Sequence, residues 1–421
     1  MAREHVIGLL LGTEEDWPRA FEALAGRVGD LSWRGETHRL SVERIVNEPF
    51  DLRYKPRYTL VIDRLAWWYH LPREWLKKIA LMDDVYLLNN PFTFQAMEKH
   101  AAYCVMMRLG FQVPDTWLLP HKVPPSGGKW AAAVARFEEM AARYNAPFDL
   151  DAIAGRIGYP LYMKPFDGGQ WVGVERIAGP DELQRGYDAS GERLMHLQAA
   201  VEDFDVFVRT LSIGAESMVM AYEPDRPLHD RYQVRHDFLT PELGHEVVTF
   251  SRLVNAFFRW EFNSSETIVK DGVMHPIDYA NASPDVALTS LHYYFPRAIA
   301  ALFKWSAFCA VSGRAPSIDQ DVRPFFAVAD RDDLAWEEKL AEYRRLADDY
   351  FGVEEYEAFV VEAIPHLDDV LLEYVESAEF DALLVDTVRS TFPPHEHDHF
   401  VAHYRGLLGA WASERRAAAP A

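Results

Sequence analysis

The 421-residue chain is 49% hydrophobic and 13% aromatic, which is enough apolar material for a large core in two or three domains. Its 65 acidic and 43 basic residues give a formal charge of −22. A charge of this sign would repel a nucleic-acid backbone or an anionic membrane over most of the surface. We therefore expect neither nucleic acid nor a membrane as a partner.

The cysteine content and the N-terminal segment both indicate the cellular compartment of the protein. The two cysteines, Cys104 and Cys309, cannot form a disulfide framework and fit a reducing cytosol. The first apolar run, of about seven residues, is too short for a membrane span and lacks a small-residue cleavage site. The sequence therefore predicts a first strand in place of a signal peptide, and a cytoplasmic protein.

Residues 1–90 are predicted to form a small α/β domain. The stretch "HVIGLLLG" is typical of a buried strand, "EEDWPRAFEALAGRV" of an amphipathic helix, and "RYTLVIDR" of a second strand in the same sheet.

Residues 91–300 are predicted to form a second domain of the α+β class, with antiparallel strands at "LMHLQAAV", "DVFVRTLSIG" and "ESMVMAYE". Residues 301–421 carry apolar positions at three- and four-residue spacing in "LAWEEKLAEYRRLADDYF", "EEYEAFVVEAIPHLDDVLLEYV" and "FDALLVDTVRSTF". They predict a helical C-terminal extension.

The stretch "YMKPFDGGQWVGVERI", residues 162–177, combines a lysine at the end of a strand with a loop of three glycines. A lysine and exposed backbone N–H groups together can hold a polyphosphate. The spacing matches neither a Walker A loop nor a dinucleotide fingerprint. Taken alone, the stretch is equally consistent with an ordinary hairpin.

A second candidate site follows about a hundred residues later in "NSSETIVKDGVMHPIDYANASPD". We predict a hairpin with "KDG" as its turn, on which Glu266, Asp278 and Asn281 supply oxygen ligands to Mg²⁺. The alternative is an exposed hairpin with solvated acids, since Asp and Asn are common at strand ends.

Taken in order, these parts resemble the ATP-grasp superfamily of carboxylate ligases, which includes the D-alanine:D-alanine ligases and the ribosomal-protein glutamate ligases. The resemblance covers roughly residues 90–290 and implies two α+β lobes that bind a nucleotide. "MEKHAAYCVMMRLGFQVPDTW" places Lys99 at the family's first phosphate-binding lysine. "GYPLYMKPFDGGQWVGV" places Lys164 at the second, with Gly168, Gly169 and Gly173 over the phosphates.

The stretch "LMHLQAAVEDFD" resembles the hinge strand that binds adenine through main-chain groups. This likeness implies base contacts at Gln198, Ala199, Ala200 and Val201, and ribose contacts at Glu202 or Asp205.

The chain departs from the family pattern at three places. Tyr279 stands where the family has its second metal-binding acid, two residues before the asparagine. Phe207 replaces the acid of the family's Asp-x-Arg, which keeps Arg209, and Ala199 replaces a frequent hinge acid. Either Asp278 reaches the metals through a local bulge, or the metal site is weakened.

The resemblance implies an ATP-dependent ligase that uses ATP and two Mg²⁺ ions, activates a carboxylate as an acyl phosphate and joins it to an amine. Its substrates would be small molecules or peptides. A nucleotide-binding regulatory or scaffold protein with reduced catalysis, or a phosphotransferase, is the alternative.

Four arginines are candidates to hold the γ-phosphate or the substrate carboxylate, namely Arg231, Arg235, Arg252 and Arg259. Surface charges on strands are an equally good interpretation of each one.

Two features lie outside the resemblance. The helical extension could cover the site, select the substrate or form a homodimer interface. His395, His397, His399 and His403 crowd one short stretch, where a zinc site competes with a helix start or a surface contact.

Overall fold

The computed structural model describes residues 2–93, 98–123, 136–144, 146–169 and 171–418. The chain divides into two compact units. Unit 1 comprises Met1–Gln95, Val206–Glu266 and Asn281–Ala421, and unit 2 comprises Ala96–Asp205 and Thr267–Ala280. The division into domains at residues 90 and 300 stays a prediction.

The first sheet of unit 1 is mostly parallel and has the order β2-β3-β1-β4-β5. Its strands are β1 (Arg3–Leu10), β2 (Leu31–Trp33), β3 (Glu36–Arg44), β4 (Leu60–Asp63) and β5 (Tyr86–Leu88). Strand β1 pairs in parallel with β3 and β4. Its side chains from Ile7 to Leu10 are buried because helices cover a parallel sheet, and the predicted strands and α/β character are confirmed.

Helices α1 (Asp16–Val28) and α2 (His70–Met82) accompany this sheet. Helix α1 buries Trp17, Phe21 and Leu24, which recur at four- and three-residue spacing along one face.

The second sheet has the order β12-β11-β10-β13-β14. Its strands are β10 (Val206–Ile213), β11 (Glu216–Tyr222), β12 (Tyr232–Gln233), β13 (Phe262–Lys270) and β14 (Val273–Asn281). The predicted "KDG" turn joins β13 to β14, with positive φ angles of 50° at Asp271 and 74° at Gly272. Two central residues with positive φ are typical of a tight hairpin turn.

Unit 2 contains a four-stranded antiparallel sheet of order β6-β9-β7-β8. Its strands are β6 (Thr116–Leu119), β7 (Leu161–Pro165), β8 (Glu175–Ile177) and β9 (Met195–Ala199). Its helices are α3 (Lys99–Arg108), α4 (Phe137–Tyr144), α5 (Leu150–Ile157) and α6 (Pro180–Ser190). The core of the unit includes Leu161, Met163, Leu183 and Leu197, all of them buried.

Most of the remaining chain in unit 1 is helical. These helices are α7 (Pro241–Phe258), α8 (Leu288–Leu291), α9 (Phe295–Ser312), α10 (Arg323–Ala329), α11 (Trp336–Phe351), α12 (Val353–Ala363), α13 (Leu367–Val375), α14 (Ala378–Thr391) and α15 (His397–Ala418). Together with the sheets they confirm the predicted α+β class with a helical C-terminal region.

The structure adds detail to one predicted helical stretch and corrects the interpretation of one arginine. The stretch "EEYEAFVVEAIPHLDDVLLEYV" forms two helices, α12 and α13, which are separated around Pro365 because proline has no N–H for a continuous helix. Arg252 lies in helix α7 and not on a strand. Helix α7 begins with Pro241 after Thr240, whose hydroxyl accepts a hydrogen bond from Leu243 N at 3.3 Å.

Across the described ranges, we found no helix with the length and apolar content that crossing a bilayer requires.

Candidate active site

Lys99 is buried at the first turn of α3, although lysine is seldom buried without partners. Its Nζ donates a hydrogen bond to the carbonyl oxygen of Gly168 at 2.5 Å. The same ammonium lies 3.3 Å from the carboxylate of Asp278 on β14. Lys99 therefore ties the glycine loop to this strand within unit 2.

Lys164 occupies the end of β7 and is 7% exposed. Its Nζ donates to Gln198 Oε1 at 2.6 Å and to Ile277 O at 3.3 Å, and both acceptors are neutral. Gln198 is held in turn, because its Nε2 donates to Thr116 Oγ1 at 2.9 Å. The structure thus brings the two predicted phosphate lysines into one cluster with Asp278 and Gln198.

His196 is a buried histidine beside the two lysines of unit 2. It lies opposite Lys164 in the β7–β9 ladder and is fully buried. Burial, and then the charges of His100, Lys164 and Lys99, lower the pKa of His196 to about 3. The ring stays neutral at pH 7, and its environment strongly disfavours a further positive charge.

The sequence alone does not mark this histidine as a site residue. Its only signal there is the alternation in "LMHLQ", which puts His196 and Gln198 on the same face of β9. Its contact with His100, at 3.1 Å between ring nitrogens, joins β9 to α3 and could not be deduced from either segment alone.

The glycine loop follows β7 directly. Gly168 and Gly173 have φ angles of 86° and 74°, which side-chain-bearing residues rarely adopt. A Cβ at Gly173 would also approach Arg193 Nη1 to 2.4 Å and Pro165 Cγ to 3.1 Å. The positive φ angle therefore favours glycine at position 173, whereas the end of the Arg193 side chain could move away from a Cβ there.

The predicted hinge lies at the end of β9 in unit 2. The N–H groups of Ala199 and Ala200 already donate to Asp115 O at 2.9 Å and Pro160 O at 3.3 Å. Main-chain pairing with adenine therefore depends on other groups between Gln198 and Val201.

The two predicted ribose acids also have partners. Glu202 forms an exposed ion pair with Arg176, and Asp205 Oδ2 accepts a hydrogen bond from Asp271 N at 2.9 Å. The contacts of these residues with a nucleotide stay predictions.

The three predicted metal ligands lie on the two strands of the β13–β14 hairpin, which turns at Asp271 and Gly272. Glu266 is on β13, and Asp278 and Asn281 are on β14.

Asp278, three residues before Asn281, projects from the other face of the uninterrupted strand β14. The tyrosine at position 279, and not Asp278, therefore shares the face of Asn281.

Arg209 on β10 contacts both the Glu266 and the Ser264 side chains of unit 1. Its Nη1 donates to Glu266 Oε1 at 2.7 Å and its Nη2 lies 3.5 Å from Ser264 Oγ. Asn281 Nδ2 donates to the same Ser264 oxygen at 2.8 Å. The contacts therefore run from Glu266 through Arg209 and Ser264 to Asn281.

The four predicted anion-binding arginines contact different parts of unit 1. Arg231 Nε donates to Arg226 O at 2.9 Å, and Arg235 is exposed. Arg252 Nη1 donates to Asp348 Oδ1 at 2.7 Å, and Arg259 Nε donates to Asp319 O at 3.2 Å. Their role in holding an anion stays a prediction.

The C-terminal histidines lie at the start of α15. His397 Nε2 is 2.8 Å from Phe392 O, and the ring of His403 is 6.1 Å from that of His229. Within the portion of the chain that the structure describes, no group of three or more His, Cys, Asp or Glu side chains is arranged to hold a metal ion.

Comparisons with known proteins give the following matches. No family model matches the sequence. A RimK domain ATP-grasp protein from Sphaerobacter thermophilus matches with 14% identity and a TM-score of 0.47, over 71% of this chain and 97% of that one. A D-alanine–D-alanine ligase from Bacillus anthracis, complexed with ATP, matches with 14% identity and a TM-score of 0.47, over 82% and 99%.

D-alanyl-alanine synthetase A from Vibrio cholerae matches with 11% identity and a TM-score of 0.48, over 74% of this chain and 98% of that one. These structures are of the superfamily that the sequence resembles.

Proposed function

We propose that the protein is an ATP-dependent ligase of the ATP-grasp type, which activates a carboxylate as an acyl phosphate and joins it to an amine. The observation that carries the proposal is the burial of Lys99 and Lys164 around the glycine loop. Buried ammonium groups beside open backbone form a site for a polyphosphate. The substrates would be a small-molecule or peptide acid and an amine.

In this proposal the chemistry needs no nucleophilic side chain. The substrate carboxylate attacks the γ-phosphorus of ATP, ADP leaves, and the amine then displaces inorganic phosphate from the acyl phosphate. Lys99 and Lys164 offset the negative charge of the phosphates, so positioning and electrostatics supply the rate. Divalent ions carried by the ATP phosphates would add positive charge at the same place.

Trapping of the acyl phosphate with hydroxylamine tests this proposal. With ATP, Mg²⁺ and a panel of acids, the intact protein should form a hydroxamate and release ADP and phosphate in equal amounts. Lys164→Ala should reduce the rate at least about tenfold, because one charge-assisted hydrogen bond to a phosphate oxygen is lost.

Lys122→Ala is the matched control, because Lys122 is a surface lysine of unit 2 paired with Asp188, and it should keep the full rate. Hydroxamate formation that Lys164→Ala leaves unchanged would contradict the proposed site.

A nucleotide-binding protein with reduced catalysis is the second candidate, and the ion pair of Lys99 with Asp278 and the tyrosine at 279 favour it. Such a protein would bind ATP but release no phosphate with any acid and amine. A stable phosphorylated product without an amine would instead identify a phosphotransferase.

A further inference from the structure

An exposed cysteine of unit 2 lies beside a pair of hydrogen-bonded histidines. Cys104 is exposed on helix α3, and its Sγ lies 3.7 Å from Nε2 of His100, one helical turn earlier. Nδ1 of His100 lies 3.1 Å from Nε2 of His196 on β9. A thiol and two imidazoles thus form one series from the surface into the core, and the proposed ligase chemistry uses none of them.

The two imidazole rings are oriented for a hydrogen bond in their common plane. Their planes differ by 13° and their centroids are 5.4 Å apart. His196 is fully buried, and the ring of Tyr103 lies edge-on to it with centroids 5.4 Å apart. Because His196 is fixed by this packing, its hydrogen bond also fixes the orientation of His100, which is only partly buried.

The proton positions in the series follow from burial. Burial is the largest cause that lowers the pKa of His196 to about 3, so its ring carries one proton at neutral pH. Nδ1 of His196 is buried and has no hydrogen-bond partner among the residues that the structure describes. A proton there would be a buried donor without an acceptor, so we assign the proton to Nε2, which donates to Nδ1 of His100. Neutral His100 then carries its proton on Nε2, beside the sulfur of Cys104.

An N–H donor beside a cysteine favours the reactive form of its sulfur. The thiolate, and not the thiol, attacks a disulfide. A hydrogen bond to a negatively charged acceptor is stronger than one to a neutral acceptor, so the donor on His100 stabilises the thiolate. The other cysteine of the chain, Cys309, is 2% exposed. A reagent in solution therefore meets the sulfur of Cys104 alone while the protein is folded.

We propose that Cys104 is a modification site for low-molecular-weight disulfides such as oxidised glutathione, with His100 as the donor to the reacting sulfur and His196 as the residue that positions His100. The thiolate of Cys104 attacks one sulfur of the disulfide and forms a new sulfur–sulfur bond. The old bond breaks, and the other half leaves as a thiolate that takes a proton from water. Cys104 is oxidised and the disulfide is reduced, so the exchange needs no other oxidant. The proposal goes beyond the ligase function and does not depend on it.

The experiment is incubation of the full chain with oxidised glutathione at neutral pH, with intact-mass spectrometry to follow the adduct. The wild type should gain a single glutathionyl group, and Cys104→Ser should gain none because Cys309 is buried. The matched control is Met107→Cys in the Cys104→Ser background, since position 107 is exposed on the same helix about 10 Å beyond His100. The wild type should react about tenfold or more faster than this control.

Two substitutions of His100 separate a hydrogen-bond role from a structural one. His100→Leu removes the donor and should lower the rate of adduct formation about fivefold or more. His100→Gln keeps an N–H donor and should recover most of the rate. His196→Leu removes the partner that orients His100 and should lower the rate by a smaller factor.

Thermal unfolding in the same buffer shows which variants fold. A wild-type rate no greater than that of the Met107→Cys control would overturn the proposal, whichever other variants fold. A folded His100→Leu protein that reacts as fast as the wild type would also overturn it, as would equal losses of rate in folded His100→Leu and His100→Gln.

Discussion

The two units differ in how they treat buried positive charge. In unit 2, Lys164 donates to the neutral oxygens of Gln198 and Ile277, whereas Lys99 donates to Gly168 O and also lies 3.3 Å from the carboxylate of Asp278. Burial is the largest cause that lowers the pKa of nearby His196 to about 3. In unit 1, Arg209 lies against Glu266 at 2.7 Å, and tyrosine rings lie beside it. A buried cation whose hydrogen-bond acceptors are neutral, such as Lys164, can still bind an anionic ligand. A buried cation that is paired with a carboxylate, such as Arg209, stabilises the fold.

The largest expected change in the free energy of unfolding follows from removing the buried carboxyl group of Glu261 in unit 1. Glu261 is 2% exposed and accepts hydrogen bonds from Tyr86 at 2.6 Å, Tyr350 at 2.7 Å and Trp305 at 2.8 Å. Glu261→Ala would leave these three buried donors without their acceptor. We expect the free energy of unfolding to fall by about 3 to 5 kcal/mol in urea titrations.

Glu355→Ala is the control for this measurement. Glu355 pairs with Arg34 on the surface, with side chains 43% and 66% exposed, so its loss should cost less than about 1 kcal/mol. If Glu261→Ala lowers the free energy of unfolding by no more than Glu355→Ala does, the hydrogen bonds to Glu261 do not stabilise the fold.

A smaller effect concerns pH. Burial is the largest cause that lowers the pKa of His196 to about 3 and of His5 and His292 to about 4. An unfolded histidine titrates near 6.5, so between pH 6.5 and 4 the unfolded chain binds more protons than the folded one. The free energy of unfolding should therefore fall with falling pH, by up to about 1.4 kcal/mol per pH unit for each histidine.

Urea unfolding at pH 6.5, 5.5 and 4.5 checks this slope. His196→Gln should reduce the dependence of the free energy of unfolding on pH by the contribution of one histidine. A substitution of His70, which is exposed, is the control and should change this dependence much less. A slope that does not respond to His196→Gln would contradict the burial of a neutral imidazole at this position.

Much of unit 2 could be predicted because its signals are local. The lysine of "YMKPF", the glycines after it and the "KDG" turn each follow from neighbouring residues, since backbone conformation there depends on glycine and strand alternation. The structure adds that the glycine carbonyl at 168 accepts from Lys99.

The hairpin ligands could not be assigned in the same way, because register decides which side chains share a face. The sequence shows that Asp278 is three residues before Asn281, but it leaves open whether a bulge brings the two side chains to one face; the structure has one continuous strand over Val273–Asn281. Arg209 is 57 residues from Glu266 in the chain, so their ion pair has no local signal. The same is true of Glu261, whose donors come from β5, α9 and α11.

The central claim is that the lysines of unit 2 hold the phosphates of ATP. Titration calorimetry with ATP and Mg²⁺ on wild type, Lys164→Ala and the surface control Lys122→Ala tests it most directly. We predict that Lys164→Ala weakens binding about tenfold to a hundredfold, the loss of one charge-assisted hydrogen bond, while Lys122→Ala binds like wild type. Equal ATP affinity of all three proteins would contradict the claim.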